Sequence, residues 1–308
     1  MRRQHHRPSV VVVLALALAT TACSELPERE EPDANTEVTV TGLIGEPPVV
    51  EFEQPLSVPK ERGEVVVPGT GAQVVEGQGV LVNMYAIDGR DGTVLQNTYT
   101  DAPQTLELTD EGTGSQIVDL LVGQRVGARL VYLEEANDVP LVLVVDLLPT
   151  RASGEVIPPV AGLPVVTLDE EGAPTITIPA DSAPPGDLVV QPLVRGGGVQ
   201  VEAGQVITVR FTGVSWSSGE VFDSNWTGGT QPASTMIGIG QIIEGWEQGL
   251  LEQSVGSQVL LVVPPALAYA GTGRSYADET LVYVVDILDA HFPVVDETPG
   301  QEGQTEGQ

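Results

Sequence analysis

Beyond residue 36 the chain is written in short runs of alternating apolar and polar residues, VITVRF at 206–211 being typical, with glycines and prolines between them. A period of two sends successive side chains to opposite faces, so these runs predict β-strands joined by turns. Helical spacing occurs in two places. Ile243, Trp246 and Leu250 stand at i, i+3 and i+7, with Glu244, Glu247 and Gln248 directed away, and Ile117, Leu120 and Leu121 form a matching stripe earlier in the chain. Many strands around one short amphipathic helix in each region predict an α+β fold, a sheet closing on a single helix.

The pattern occurs twice. At an offset of 127 residues Gly69, Gly71, Gly77 and Gly92 fall on Gly196, Gly198, Gly204 and Gly219, and Val67, Val74 and Val82 on Val194, Val201 and Val209, without a gap. The offset grows to 129 where Val126-Gly127 meets Val255-Gly256, and to 140 where LVLVVDLL at 141–148 meets LVYVVDIL at 281–288. The second copy therefore carries 11 additional residues just ahead of its last strand. Two copies of one domain are expected, residues 37–152 and 153–292, and the similar strings IGEPPVV and VAGLPVV suggest that each has a lead-in strand. Residues 293–308 read as a disordered tail.

Charge removes several classes of chemistry. Thirteen Lys and Arg oppose 43 Asp and Glu, for a formal net charge of −30. Three of those cations, Arg2, Arg3 and Arg7, precede the single cysteine, Cys23, so the rest of the chain is more acidic still. Phosphate backbones are repelled, and nucleic acid is not a partner. Beyond residue 6 the chain has one histidine, His291, and Lys60 is its sole lysine. Disulfide frameworks, Cys/His zinc sites, cysteine nucleophiles and P-loop chemistry drop out, so neither a metal nor a cofactor is expected.

The amino terminus has the form of an export signal. Basic residues 1–7 precede an apolar run at 10–19, too short to remain as a helix across a hydrocarbon core of roughly 30 Å. Signal peptide 1–22 ends in Thr20-Thr21-Ala22 ahead of Cys23, which resembles a bacterial lipidation box, with Thr20 where an aliphatic residue is usual. Two outcomes fit: lipidation of Cys23, anchoring the chain to the outer side of a membrane, or cleavage after Ala22 and free secretion. Residues 23–36, acidic and poor in apolar side chains, form the expected tether.

Six blocks in the second copy carry a family resemblance: VRFTG at 209–213, GEVFDSN at 219–225, IGIGQIIEGWEQGL at 237–250, VGSQVLLVVPP at 255–265, LAYAGTG at 267–273 and TLVYVVDIL at 280–288. In order and spacing they resemble FKBP-type peptidyl-prolyl cis-trans isomerases, and with the export signal the whole is similar to two-domain FKBP-like lipoproteins of actinobacteria. The resemblance implies two FKBP-like domains, each an antiparallel sheet wrapped on one short helix. It implies partners among proline-containing exported polypeptides, contact with a membrane through the lipid anchor, and macrolide inhibitors as a further ligand class.

By the same resemblance Trp246 is the pocket floor, lined by Phe211, Phe222, Ile242, Ile243 and Tyr283. The Ile243 N–H and the Tyr269 hydroxyl bond substrate carbonyls, Asp223 is a buried carboxylate beside the pocket, and Tyr276 supplies apolar contact. Taken singly these residues read more plainly: Trp246 as core, Phe222-Asp223 as a strand end, Tyr269 as a packed loop aromatic. Their joint occurrence carries the functional reading. Phe211 and Tyr283 stand where the family commonly has Tyr and Phe, Arg274 where many members have His, and Asp223 has no evident arginine partner. In the first copy Met84, Leu95-Gln96 and Ile117 take the places of Phe211, Phe222-Asp223 and Trp246, and the Tyr269 loop is missing. That copy is expected to be catalytically silent. The competing readings are a non-catalytic peptide-binding chaperone and a structural envelope lipoprotein.

Overall fold

The computed structural model describes residues 34–180, 182–226 and 231–293. The expected signal peptide, Cys23, nearly all of the tether and the tail beyond Pro293 lie outside the described residues.

An N-terminal unit opens with a hairpin of β1 (Val38–Thr41) and β2 (Val49–Phe52). Strands β3 (Arg62–Val67), β4 (Gly79–Asp88), β5 (Val94–Asn97) and β6 (Gln104–Glu107) then lead into helix α1 (Ser115–Leu121), and β7 (Arg129–Ala136) and β8 (Val139–Leu148) follow. They assemble in the order β3-β7-β8-β4-β5, with β6 also on β4, and every pairing is antiparallel. The C-terminal unit contains β9 (Glu155–Val156), a hairpin of β10 (Val165–Leu168) and β11 (Pro174–Thr177), then β12 (Val189–Arg195), β13 (Val206–Ser215), β14 (Val221–Ser224), β15 (Ala233–Met236), helix α2 (Glu244–Leu250), β16 (Gln258–Val263) and β17 (Leu281–His291). Its sheet runs β14-β13-β17-β16-β12-β9, with β15 on β13.

The two sheets share their register. Met84 pairs with Val145 where Phe211 pairs with Val285, and Arg129 with Asp146 where Gln258 pairs with Asp286. The offsets read from the sequence thus carry β4 onto β13 and α1 onto α2. The lead-in differs from expectation. It is a whole hairpin in each unit, and IGEPPVV enters β2 whereas VAGLPVV enters β10, so the two similar strings are not equivalent.

Those hairpins explain why LVLVVDLL and LVYVVDIL do not alternate. Along β17, Leu281, Tyr283, Val285 and Ile287 pack in the cluster that holds α2, while Val282 and Val284 pack with Val166, Ile176 and Trp216 beneath the β10–β11 hairpin. Along β8, Val145 and Leu147 join the α1 cluster and Val142 and Val144 the β1–β2 side. A strand buried on both faces reads as a continuous apolar run, and each such side chain contributes about 1.5–3 kcal/mol. Where the units meet, Leu81, Leu148 and Leu288 form a small cluster and Tyr99 sets its ring edge-on to His291 at 5.7 Å.

Candidate active site

α2 lies flush against β16 because two of its residues are glycine. A Cβ on Gly245 would stand 2.3 Å from Val263 Cγ1, and one on Gly249 would stand 2.6 Å from Leu261 Cδ2. This close approach seats Trp246 over the sheet at 7% exposure, edge to face with Phe211 at 5.2 Å and with Tyr283 at 5.4 Å. The three rings form the base of a cavity of about 560 Å³, whose wall adds Ile242, Ile243, Leu267, Tyr269 and Asp223, with Glu244 and Arg274 at its edge.

The loop before α2 is held by the helix itself. Glu247 accepts the N–H groups of Gly238 and Gly240, the second at 2.9 Å, and both glycines have positive φ, which a side chain would strain. Ile243 is the residue preceding the first turn of α2, with φ −62° and ψ 143°. Its backbone is extended, ahead of the helix ladder, and the residue lines the cavity. Phe211 is set by Asn225, which accepts the Phe211 N–H at 2.7 Å and donates to Val209 O at 3.0 Å.

Three expectations need correction. Asp223 lines the cavity but is exposed, not buried, because β14 is the edge strand of the sheet there. Phe222 and Tyr276 stand one layer behind the wall. Phe222 stacks on Tyr276 at 4.6 Å and meets Tyr283 edge-on at 5.6 Å, and Tyr276 meets Tyr269 at 5.4 Å. Gly213 leaves room for this, since a Cβ there would stand 2.7 Å from Phe222 Cζ and 2.9 Å from Tyr283 Cε1.

The chain matches the family model described as FKBP-type peptidyl-prolyl cis-trans isomerase over residues 197–288. It is 40% identical over 109 residues to an FK506-binding protein of Streptomyces anulatus, covering 34% of this chain and 87% of that protein. It is 34% identical over 119 residues to a probable FK506-binding protein of Corynebacterium glutamicum, covering 38% of this chain and 98% of that one. The crystal structure of AtFKBP13 matches at 29% identity over 34% of this chain and 93% of that chain, with a TM-score of 0.30. The chain belongs to the FKBP-type peptidyl-prolyl cis-trans isomerases.

Within this isomerase, two elements of the cleft are not evident from the sequence pattern. Arg274 folds back so that its guanidinium carbon lies 4.6 Å from the Tyr269 ring centre, and its Nη1 donates to the Tyr276 hydroxyl at 2.8 Å. The Tyr276 hydroxyl holds the guanidinium above its ordinary pKa, and the contact clasps the two turns of the loop together. A signal exists in the sequence: Arg274 is an isolated cation between two tyrosines of a Gly- and Ala-rich stretch. Helical spacing sends Glu247 to the solvent side, and only the folded loop shows that it caps the approach to Ile242 and Ile243. Burial pushes the Tyr283 phenol well above its ordinary value, with Tyr269 and Asp223 acting in the same direction, so it stays protonated.

Proposed function

We propose that the isomerase activity resides in the α2 cleft of the C-terminal unit, in an FKBP-like domain of residues 153–292, and that residues 37–152 form a second, catalytically silent FKBP-like domain. One observation carries this reading: Trp246, Phe211, Tyr283, Ile242, Ile243, Tyr269 and Asp223, scattered over 73 residues of sequence, line one cavity. The reaction needs little else. Rotation about an X-Pro bond meets a barrier of roughly 18–20 kcal/mol because twisting removes amide resonance, and no bond is broken. An apolar base of Trp246, Phe211 and the Tyr283 ring takes the proline and disfavours the charge-separated planar amide. The Ile243 N–H and the Tyr269 hydroxyl, at the half-buried rim, hold the flanking carbonyls, and Arg274 steadies Tyr269. Asp223, exposed at the wall, meets the polar part of the peptide.

On this reading the enzyme works outside the cytoplasm, on a lipid anchor at Cys23, with proline-containing exported polypeptides as clients; the form of residues 1–23 supports it. FK506-type macrolides, named by the relatives, are the inhibitor class that fits the apolar base. The test follows cis-to-trans conversion of a short Leu-Pro peptide. Trp246→Leu, which keeps the floor apolar, is expected to lower kcat/KM by at least roughly tenfold with the circular dichroism spectrum unchanged. A loss to background also marks the N-terminal unit as silent. Full activity in a folded Trp246→Leu protein would overturn the assignment.

A further inference from the structure

Among the described residues, two buried donors on the rings at the base of the cleft have no acceptor. They are Tyr283 Oη and Trp246 Nε1, for which the described residues offer no hydrogen-bond partner, in side chains whose residues are 2% and 7% exposed. Both rings line the cavity. Tyr269 approaches the Tyr283 phenol closely enough to raise its pKa by charge and by incipient hydrogen bonding, and the Asp223 charge acts in the same direction, yet among the described residues no hydrogen bond of normal geometry is completed at Tyr283 Oη. An unpaired buried hydroxyl costs stability, and phenylalanine would fill the same volume without that cost.

A planar amide nitrogen has no lone pair to offer. As the amide twists, the lone pair withdraws from resonance and localises on the prolyl nitrogen, which becomes an acceptor only near the transition state. Under the proposed reading the proline ring rests on Trp246 and Tyr283, below the rim donors that hold the carbonyls. We propose that the Tyr283 hydroxyl is a catalytic donor to the prolyl nitrogen, unpaired in the free enzyme and in the planar complex and paired only in the twisted state. The phenol keeps its proton throughout, and no covalent bond changes.

The inference rests on the cleft assignment, so Tyr283→Phe and Trp246→Leu are measured side by side in the full chain. For Tyr283→Phe we expect kcat to fall roughly three- to tenfold, the worth of one neutral hydrogen bond, with KM changed less than about twofold and Tm equal or higher. An unchanged kcat, or a loss confined to KM, overturns the proposal. So does a lower Tm, which would mean that the hydroxyl serves the fold. Activity that falls in Trp246→Leu but survives Tyr283→Phe sinks the hydroxyl alone, whereas activity that survives Trp246→Leu sinks the cleft assignment beneath it.

Discussion

The N-terminal and C-terminal units share strand order, register and helix position, and differ in the residues that stand above the sheet. Met84, Ile117 and Leu143 occupy the places of Phe211, Trp246 and Tyr283, and they pack into one core cluster. β7 and β8 are joined by the two residues Asn137 and Asp138, both at positive φ (53° and 63°), a tight hairpin turn. β16 and β17 are joined by residues 264–280, which carry Tyr269, Arg274 and Tyr276. Three large rings and one loop therefore separate a packed core from an open cleft. The framework supports either, and this makes each difference between the units a test.

The largest effect is expected at the buried charge. Arg129 is fully buried, donates from Nε and Nη2 to both oxygens of Asp146 at 2.7 Å, and reaches Leu43 O and Glu46 O in the β1–β2 turn at 3.0 and 2.8 Å. Its counterpart in the C-terminal unit is Gln258. Arg129→Gln copies that residue but strands Asp146 and the turn carbonyls, so we expect about 3–5 kcal/mol of destabilisation by urea unfolding, with isomerase kcat unchanged under native conditions. A cost below about 1 kcal/mol would mean that the turn takes up water in place of the arginine.

The equivalent carboxylate, Asp286, accepts from Gln258 Nε2 at 2.7 Å and from the Ala152 N–H of the inter-unit segment at 2.6 Å. Burial raises its pKa to about 6, against these bonds. A raised carboxylate pKa means that the folded state holds the proton more tightly than the unfolded one. The contribution is therefore fully present below the unfolded value near 3.8, is lost as pH rises toward about 6, and is flat above. The span amounts to on the order of 3 kcal/mol. Asp286→Asn should flatten stability between about pH 4 and 6 relative to wild type; an unchanged slope in the variant would show that other groups set it.

Much of this architecture is legible in the sequence, for identifiable reasons. The repeat survives because glycines such as Gly69 and Gly196 sit where a Cβ would come within 2.1 and 2.2 Å of backbone carbonyl oxygens, and no other residue fits. Trp246 and Leu250 are buried as their spacing implies, while Ile243 proves to be the residue ahead of the helix. The covering hairpins are not legible, since VTVT and PTIT are short and polar-looking runs whose partner face belongs to distant strands. The exposure of Asp223 and the setting of Phe222 one layer back are hidden for a related reason: pattern assigns a residue to a strand, whereas exposure depends on which strand is the edge.

The smallest expected effect tests the comparison most closely. In the C-terminal unit Gly249 on α2 faces Leu261, with Val190 beside it, whereas in the N-terminal unit the same places hold Leu120, Tyr132 and Gly63, and a Cβ on Gly63 would stand 2.5 Å from Leu120 Cδ1. The large and small residues have changed sides. Gly249→Leu gains roughly 1 kcal/mol of helix propensity but drives a side chain into Leu261, and overpacking costs about 1–3 kcal/mol. We expect a net loss of about 1 kcal/mol and a lower kcat, because α2 must lift and carries Trp246 with it. Val190→Gly alone removes packing and is also destabilising. Together they reproduce the Leu120–Gly63 arrangement, so the double variant should be more stable than the sum of the single losses predicts, by at least about 0.5 kcal/mol. Strict additivity would mean that the two units fill this space by unrelated means, and that their shared register does not extend to how helix meets sheet.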